Sequence, residues 1–204
     1  MKIYLTGFIA LLVLAWIGTL TVNGQGIHSL PWAIQSQAFY LCGLLAIGLM
    51  SLAMVLATRP IWLERLLGGM DRVYRMHKWT AILAVSFAAL HWLLEDCDDL
   101  IESVFGRMGQ PLEEQFSGLW HDLREVAGDL GEIGIYLLLA MAVLSLLKLF
   151  PYKFWRHVHR AMPVLYLALA FHAAVLAPSQ YWSSPLGLLL GVLLVAGSFA
   201  PDPR

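Results

Sequence analysis

Charge is scarce in this chain. Of 204 residues, 13 are Lys or Arg and 14 are Asp or Glu, while 59% are hydrophobic. So little polar surface excludes a soluble domain of ordinary composition and fits an integral membrane protein. Cysteine is also rare. Cys42 falls inside an apolar run and Cys97 just beyond another, so the two are not expected to pair, and a disulfide scaffold is excluded. No Gly-rich loop of the strand–turn–helix kind is present, so the chain is not expected to bind its own dinucleotide. No internal repeat is visible. The net charge of −1 says little by itself. Nucleic acid is not expected as a partner; membrane lipid is.

What the chain has in quantity is apolar runs of spanning length. They lie at about 3–22, 33–57, 74–94, 131–150, 157–177 and 185–200. The expected fold is an all-α integral membrane protein, a single six-transmembrane-helix bundle over 1–204. The first run has only Lys2 ahead of it and no convincing small-x-small cleavage site, so a retained helix is expected rather than a signal peptide. Charge placement orients the bundle. Eleven of the 14 acidic residues lie between Glu95 and Glu132, and 11 of the 13 basic residues lie elsewhere. With six spans, those basic residues fall at the N-terminus, 58–73, 148–156 and the C-terminus, all on one side. The positive-inside rule makes that side, with both termini, cytoplasmic. The location is then the plasma membrane (cell inner membrane), crossed several times, and the acidic loop 95–130 faces outward.

Within the loops, 58–73 reads as a short interfacial amphipathic turn ending at Gly68–Gly69. The segment 111–127 places Leu112, Phe116, Leu119, Trp120 and Leu123 at helical spacing. It predicts a separate helix resting on the outer mouth, with Pro111 near its start. The short connection between the fourth and fifth spans makes them antiparallel neighbours.

The third and fifth spans each carry two histidines. His77 and His91 are 14 residues apart in VYRMHKWTAILAVSFAALHWLL, and His159 and His172 are 13 apart in FWRHVHRAMPVLYLALAFHAAVL. Each pair covers roughly 20 Å of helix axis. Imidazole is costly inside a bilayer, so four at matched depths imply a function. Both spans run outward, which pairs His77 with His159 at the inner level and His91 with His172 at the outer level. Two ligands per level are too few for a usual zinc site. They suit a planar macrocycle that fills four equatorial positions itself and needs two axial ligands. Two bis-histidine b-type haems over a core 74–177 are therefore expected, with His77, His159, His91 and His172 as iron ligands. On an ideal helix, 14 residues return His91 to within about 40° of His77, whereas 13 leave His172 about 140° from His159. An irregular fifth helix is predicted, with Pro163 as the cause.

The stretches DRVYRMHKWTAILAVSFAALH and WRHVHRAMPVLYLALAFH resemble the ferric reductase-like transmembrane domain of NADPH oxidases and ferric reductases. Both histidine spacings match, as do Tyr74, Lys78, Trp155 and Arg160 around them, and the resemblance covers about 33–200. It implies an inner haem on His77 and His159 and an outer haem on His91 and His172. It also implies an oxidoreductase of NAD(P)H oxidase or ferric reductase type. Electrons would come from a cytosolic FAD/NAD(P)H dehydrogenase and pass to oxygen, giving superoxide, or to ferric iron. The family's dehydrogenase domain is not in this sequence. It is expected either beyond residue 204 or as a separate flavoprotein docking on 58–73 and 148–156. Alternative readings are a haem subunit feeding a periplasmic reductase of the methionine sulfoxide reductase type, or a non-catalytic haem carrier or channel. A channel needs a polar pore, and the spans offer few polar side chains besides the histidines.

Further candidates have assigned roles. Arg75, Lys78, Arg156 and Arg160 flank the inner pair and suit haem propionates, or simply anchor the cytoplasmic face. Tyr166, midway between His159 and His172, either sits between the haems or packs the bundle; Trp79 and Phe87 share that ambiguity. Glu95, Asp96, Asp98, Asp99 and Glu102 attract ferric ion or form a solvated loop. His121 and Arg124 could approach the outer haem. His157 points away from His159, and His28 has no evident partner.

Overall fold

The computed structural model describes residues 2–22, 29–106, 117–147 and 151–199. Within these the chain is helical throughout, without strands. The elements are α1 (Lys2–Val22), α2 (Leu30–Ala57), α3 (Ile61–Leu67), α4 (Met70–Glu95), α5 (Cys97–Phe105), α6 (Leu119–Leu147), α7 (Tyr152–His159), α8 (Met162–Leu176), α9 (Ser179–Trp182) and α10 (Pro185–Ser198).

The central column is α2, apolar on every face, as a helix surrounded by others must be. It packs most extensively on α4, then on α10 and α8, and also meets α1 and α5. Its buried residues run almost without interruption from Leu44 to Ala53. The second large pairing is α6 with α8. Close approach is bought with small residues: a Cβ on Gly48 would stand 2.8 Å from Leu12 of α1, and one on Gly134 would stand 2.5 Å from Leu169 of α8.

Four stretches are long and apolar enough to cross a membrane: Lys2–Leu20, Leu30–Ala57, Leu119–Leu146 and Tyr152–Leu176. A fifth is reached if α4 and α5, bent by 41°, are taken as one span. Asp71, Arg72, Arg75 and Lys78 at the start of α4 dilute its hydropathy. The sixth expected span, α10, is apolar but has 14 residues, about 21 Å of helix against a hydrocarbon core of about 30 Å. The described residues thus support four to five spans.

The separate outer helix expected over 111–127 needs correction. From Leu119 onward, α6 continues without a break to Leu147, because neither Gly128 nor Gly131 is a strong enough breaker to end it. Pro111 and the rest of 107–116 lie outside the described residues, as does His28. Within 58–73 a short amphipathic helix ends at Gly68, as expected, and α4 begins at Met70. Ile61, Trp62 and Leu66 of α3 are exposed, while Leu63 and Leu67 pack with Leu56, Val73 and Met76. Gly68, at φ 80°, ends the helix in the left-handed region that glycine favours, and its N–H donates to Glu64 O at 2.9 Å.

Candidate functional site

The two histidines of α4 are held by the backbone of α2. His77 Nδ1 donates to Ala53 O at 3.0 Å, and His91 Nδ1 donates to Phe39 O at 2.9 Å. The acceptors, like the histidines, are 14 residues apart, in the reverse order that an antiparallel helix pair requires. A carbonyl only accepts, so each Nδ1 carries the proton and each Nε2 keeps its lone pair. Phe39 also stacks on the His91 ring, with centroids 4.0 Å apart. On the other side of the bundle, His172 of α8 donates from Nδ1 to Ala127 O of α6 at 2.7 Å. Imidazoles that ligate metals are usually fixed in this way, through the second ring nitrogen.

His159 is held differently. Its Nδ1 is buried without a hydrogen-bond partner. Its ring lies on Trp155, with centroids 4.8 Å apart and planes 20° from parallel. Trp155 Nε1 in turn donates to Ser145 Oγ of α6 at 2.9 Å, and Ser145 Oγ donates to Met141 O at 2.7 Å.

The fifth expected span is irregular where predicted. It is broken at Arg160–Ala161 between α7 and α8. Pro163 has no N–H to offer the carbonyl four residues back, which is that of His159, and its ring crowds the same carbonyl. The α7 helix therefore ends at His159, and the ideal 140° offset between His159 and His172 no longer applies.

These elements bring the histidines together in the expected pairs. The His77 and His159 ring centroids are 6.4 Å apart, with planes at 79°. His91 and His172 line one cavity of about 610 Å³. Its walls are mainly apolar, including Leu44, Ile47, Met50 and Leu138, and Glu95, Asp96 and Glu132 also line it. Two glycines make room for the outer rings. A Cβ on Gly43 would lie 3.0 Å from His91 Cε1, and one on Gly131 would lie 2.3 Å from both Cε1 and Nδ1 of His172. Among the described residues, no three His, Cys, Asp or Glu side chains come together to hold a metal ion. The histidines thus come together two at a time, one from α4 and one from α7 or α8.

Arg75, Lys78, Arg156 and Arg160 are exposed, on the same helices as the inner pair. Tyr166 is 1% exposed and ties α8 to its neighbours: its hydroxyl lies 2.9 Å from Ser51 Oγ and 3.3 Å from Leu194 O. It does not line the outer cavity. Trp79 is exposed and Phe87 packs against the core. Arg124 Nη1 donates to Val175 O at 2.9 Å, next to the end of α8. His121 is exposed beside Asp122, and His157 is exposed with Nδ1 on Lys153 O. Asp98 accepts from Gln35 Nε2 of α2, which helps dock α5. The carbonyls of Phe39, Ala53 and Ala127, the two glycines and Ser145 were not among the sequence candidates. Nothing in the sequence separates Gly43 and Gly131 from helical glycines such as Gly7, Gly18 and Gly191, where a Cβ would meet nothing within 4 Å.

The sequence model of the ferric reductase like transmembrane component family matches residues 42–170, more than half of the chain. The chain belongs to that family. The match covers His77, His91 and His159 and ends two residues before His172. No curated protein matches the chain. Membership in the ferric reductase-like family, together with the spanning helices, marks a multi-pass membrane protein and points to transmembrane electron transfer of oxidoreductase type.

Proposed function

We propose that this chain carries electrons across the cell inner membrane through two b-type haems, the inner held by His77 and His159 and the outer by His91 and His172. The observation that carries this reading is the 6.4 Å separation of the inner rings. Metal–imidazole bonds of about 2.0–2.1 Å would put two ring centroids on opposite sides of one metal about 6 Å apart. The rings are therefore spaced so that His77 and His159 would hold one metal between them. The Nδ1 bonds of His77, His91 and His172 reserve Nε2 for a ligand, and Gly43 and Gly131 keep the outer cavity open beside its two rings.

Haem held by two histidines would supply one-electron exchange rather than oxygen binding at the metal. The chain's own residues do the rest. Carbonyls of α2 and α6 fix three of the rings, and mainly apolar walls line the outer site. Arg75, Lys78, Arg156 and Arg160 offer cations to the inner haem's propionates and to a donor carrying FAD and NAD(P)H, either a further domain or a separate flavoprotein. The donor docks on the basic face, which is cytoplasmic along with both termini. Glu95, Asp96 and Glu132 lie where the outer cavity meets the acidic side. The acceptor there is oxygen, reduced to superoxide, or ferric iron.

The test is a quantitative pyridine haemochrome assay on detergent-purified full-length protein and on His91→Ala. Two haem b per chain, falling to about one in the variant, is the expected result. No haem, or a single haem indifferent to His91, would overturn the reading.

A further inference from the structure

Three of the four histidines are clamped through Nδ1 by a backbone carbonyl of the adjacent helix. The fourth, His159, has a buried Nδ1 with no partner. What it has instead is the Trp155 ring, nearly parallel and 4.8 Å away, one helical turn earlier on α7. Trp155 is itself fastened across the helix gap by its indole N–H to Ser145 of α6. The end of α7 explains the difference. With the helix broken at Arg160–Ala161, His159 sits at a terminus where its backbone position is less constrained than in a continuous helix. A ring on such a residue needs another restraint to keep it opposite the His77 ring, 6.4 Å away.

We propose that Trp155 is the positioning residue of His159, with Ser145 anchoring Trp155, so that a stacked indole replaces the carbonyl clamp used at the other three ligands. This rests on the two-haem reading for its spectroscopic consequence, though the contact itself does not. Stacking restrains the tilt of the imidazole but gives it no acceptor. His159 is therefore the least firmly held of the four ligands and the one whose release opens a coordination position.

The experiment uses detergent-purified full-length protein. Wild type, Trp155→Ala, Trp155→Phe and Ser145→Ala are reduced with dithionite and exposed to carbon monoxide. Trp62→Ala, a Trp deletion in the exposed turn α3, is the control. Haem with both axial positions filled does not take up carbon monoxide, so wild type and Trp62→Ala are expected to bind none. Trp155→Ala is expected to bind it at one of its two haems, or to retain one haem of two. Trp155→Phe, which keeps a flat ring, should restore the wild-type spectrum, and Ser145→Ala should fall between. Two haems in Trp155→Ala with no carbon monoxide uptake would overturn the proposal. So would equal loss of both haems in the alanine and phenylalanine variants, which would signify general misfolding.

A second readout does not need haem. In haem-free protein, diethyl pyrocarbonate should modify His159 several-fold faster in Trp155→Ala than in wild type, with His157 in the same tryptic peptide as internal reference. An unchanged ratio would overturn the positioning role. Haem-free wild type with an altered ratio would uphold Trp155 while rejecting the two-haem reading.

Discussion

Gly131→Ala is the smallest change that should empty one site and spare the other. The new methyl would be centred 2.3 Å from both Cε1 and Nδ1 of His172. Ordinary carbon contacts optimise near 3.5–4.0 Å, so the ring must retreat by about 1 Å or α6 must move off α8. Retreat stretches the 2.7 Å bond from Nδ1 to Ala127 O, one turn earlier on the same helix. Overpacking of this kind costs about 1–3 kcal/mol. The helix-propensity gain of alanine over glycine, about 1 kcal/mol, opposes it, so global stability should fall only modestly. Occupancy should not be so protected. Disturbing the group that orients a metal-bound imidazole typically costs about 10–100-fold in affinity. On the two-haem proposal, purified Gly131→Ala is therefore expected to carry about one haem against two in wild type, with the inner haem's spectrum unchanged.

Gly43→Ala provides the graded comparison, because its Cβ would meet His91 at 3.0 Å, a strain a few tenths of an ångström could relieve. Gly191→Ala, where a Cβ meets nothing within 4 Å, controls for helix propensity. Haemochrome stoichiometry and thermal melting on the three variants decide the matter. If Gly131→Ala keeps two haems with wild-type spectra, the assignment of His172 as the outer ligand in this geometry is wrong. If Gly191→Ala loses haem as readily, the effect is not steric.

Tyr166→Phe should lower stability by about 1 kcal/mol through the lost hydroxyl bonds to Ser51 and Leu194 while leaving both haems bound; loss of a haem would instead assign the ring to the cofactor. Gly187→Ala should cost more, because its Cβ would stand 2.3 Å from Tyr181 O and 2.6 Å from Trp182 Cα, backbone that cannot turn aside; a melting temperature equal to wild type would contradict the packing of α9 against α10. Arg156→Ala or Arg160→Ala should lower the inner haem's midpoint potential in a redox titration, since a nearby cation favours the reduced state. The shift should shrink as salt is added because both side chains are exposed. An upward or salt-independent shift would place these cations away from the haem.

The parts of this molecule that could be read from sequence are those fixed by spacing and hydropathy. Intervals of 14 and 13 residues on two apolar runs led to the same pairs that the structure brings near one another, because helix rise is nearly constant whatever the side chains do. The break in the fifth span was legible for a related reason: proline removes a specific bond, four residues back, and that residue is His159. Element ends were less visible. Nothing in HDLREVAGDLGE announces that an outer amphipathic turn and a spanning helix are one continuous α6, since polarity changes along it while helix propensity does not. The run at 185–200 is matched by α10, yet at 14 residues it falls short of spanning length, because apolar composition rather than helix length marked it as a span.

What sequence could not supply is everything that depends on which backbone lies opposite. Phe39, Ala53 and Ala127 act through carbonyls, which every residue has, so no side chain marks them. Gly43 and Gly131 matter through the atom they lack, and many glycines in these helices lack it with no consequence: a Cβ on Gly7, Gly18 or Gly191 would touch nothing within 4 Å. Trp155 was visible only as part of a resemblance; its contact with His159 depends on helical proximity and on Ser145 across the gap. These undetected groups all act on a histidine that was itself easy to find: the carbonyls and Trp155 hold a ring, and Gly43 and Gly131 leave room for one. The difference in what holds each ring makes His159, clamped by an indole rather than a carbonyl, the ligand whose substitution pattern should differ most from the other three.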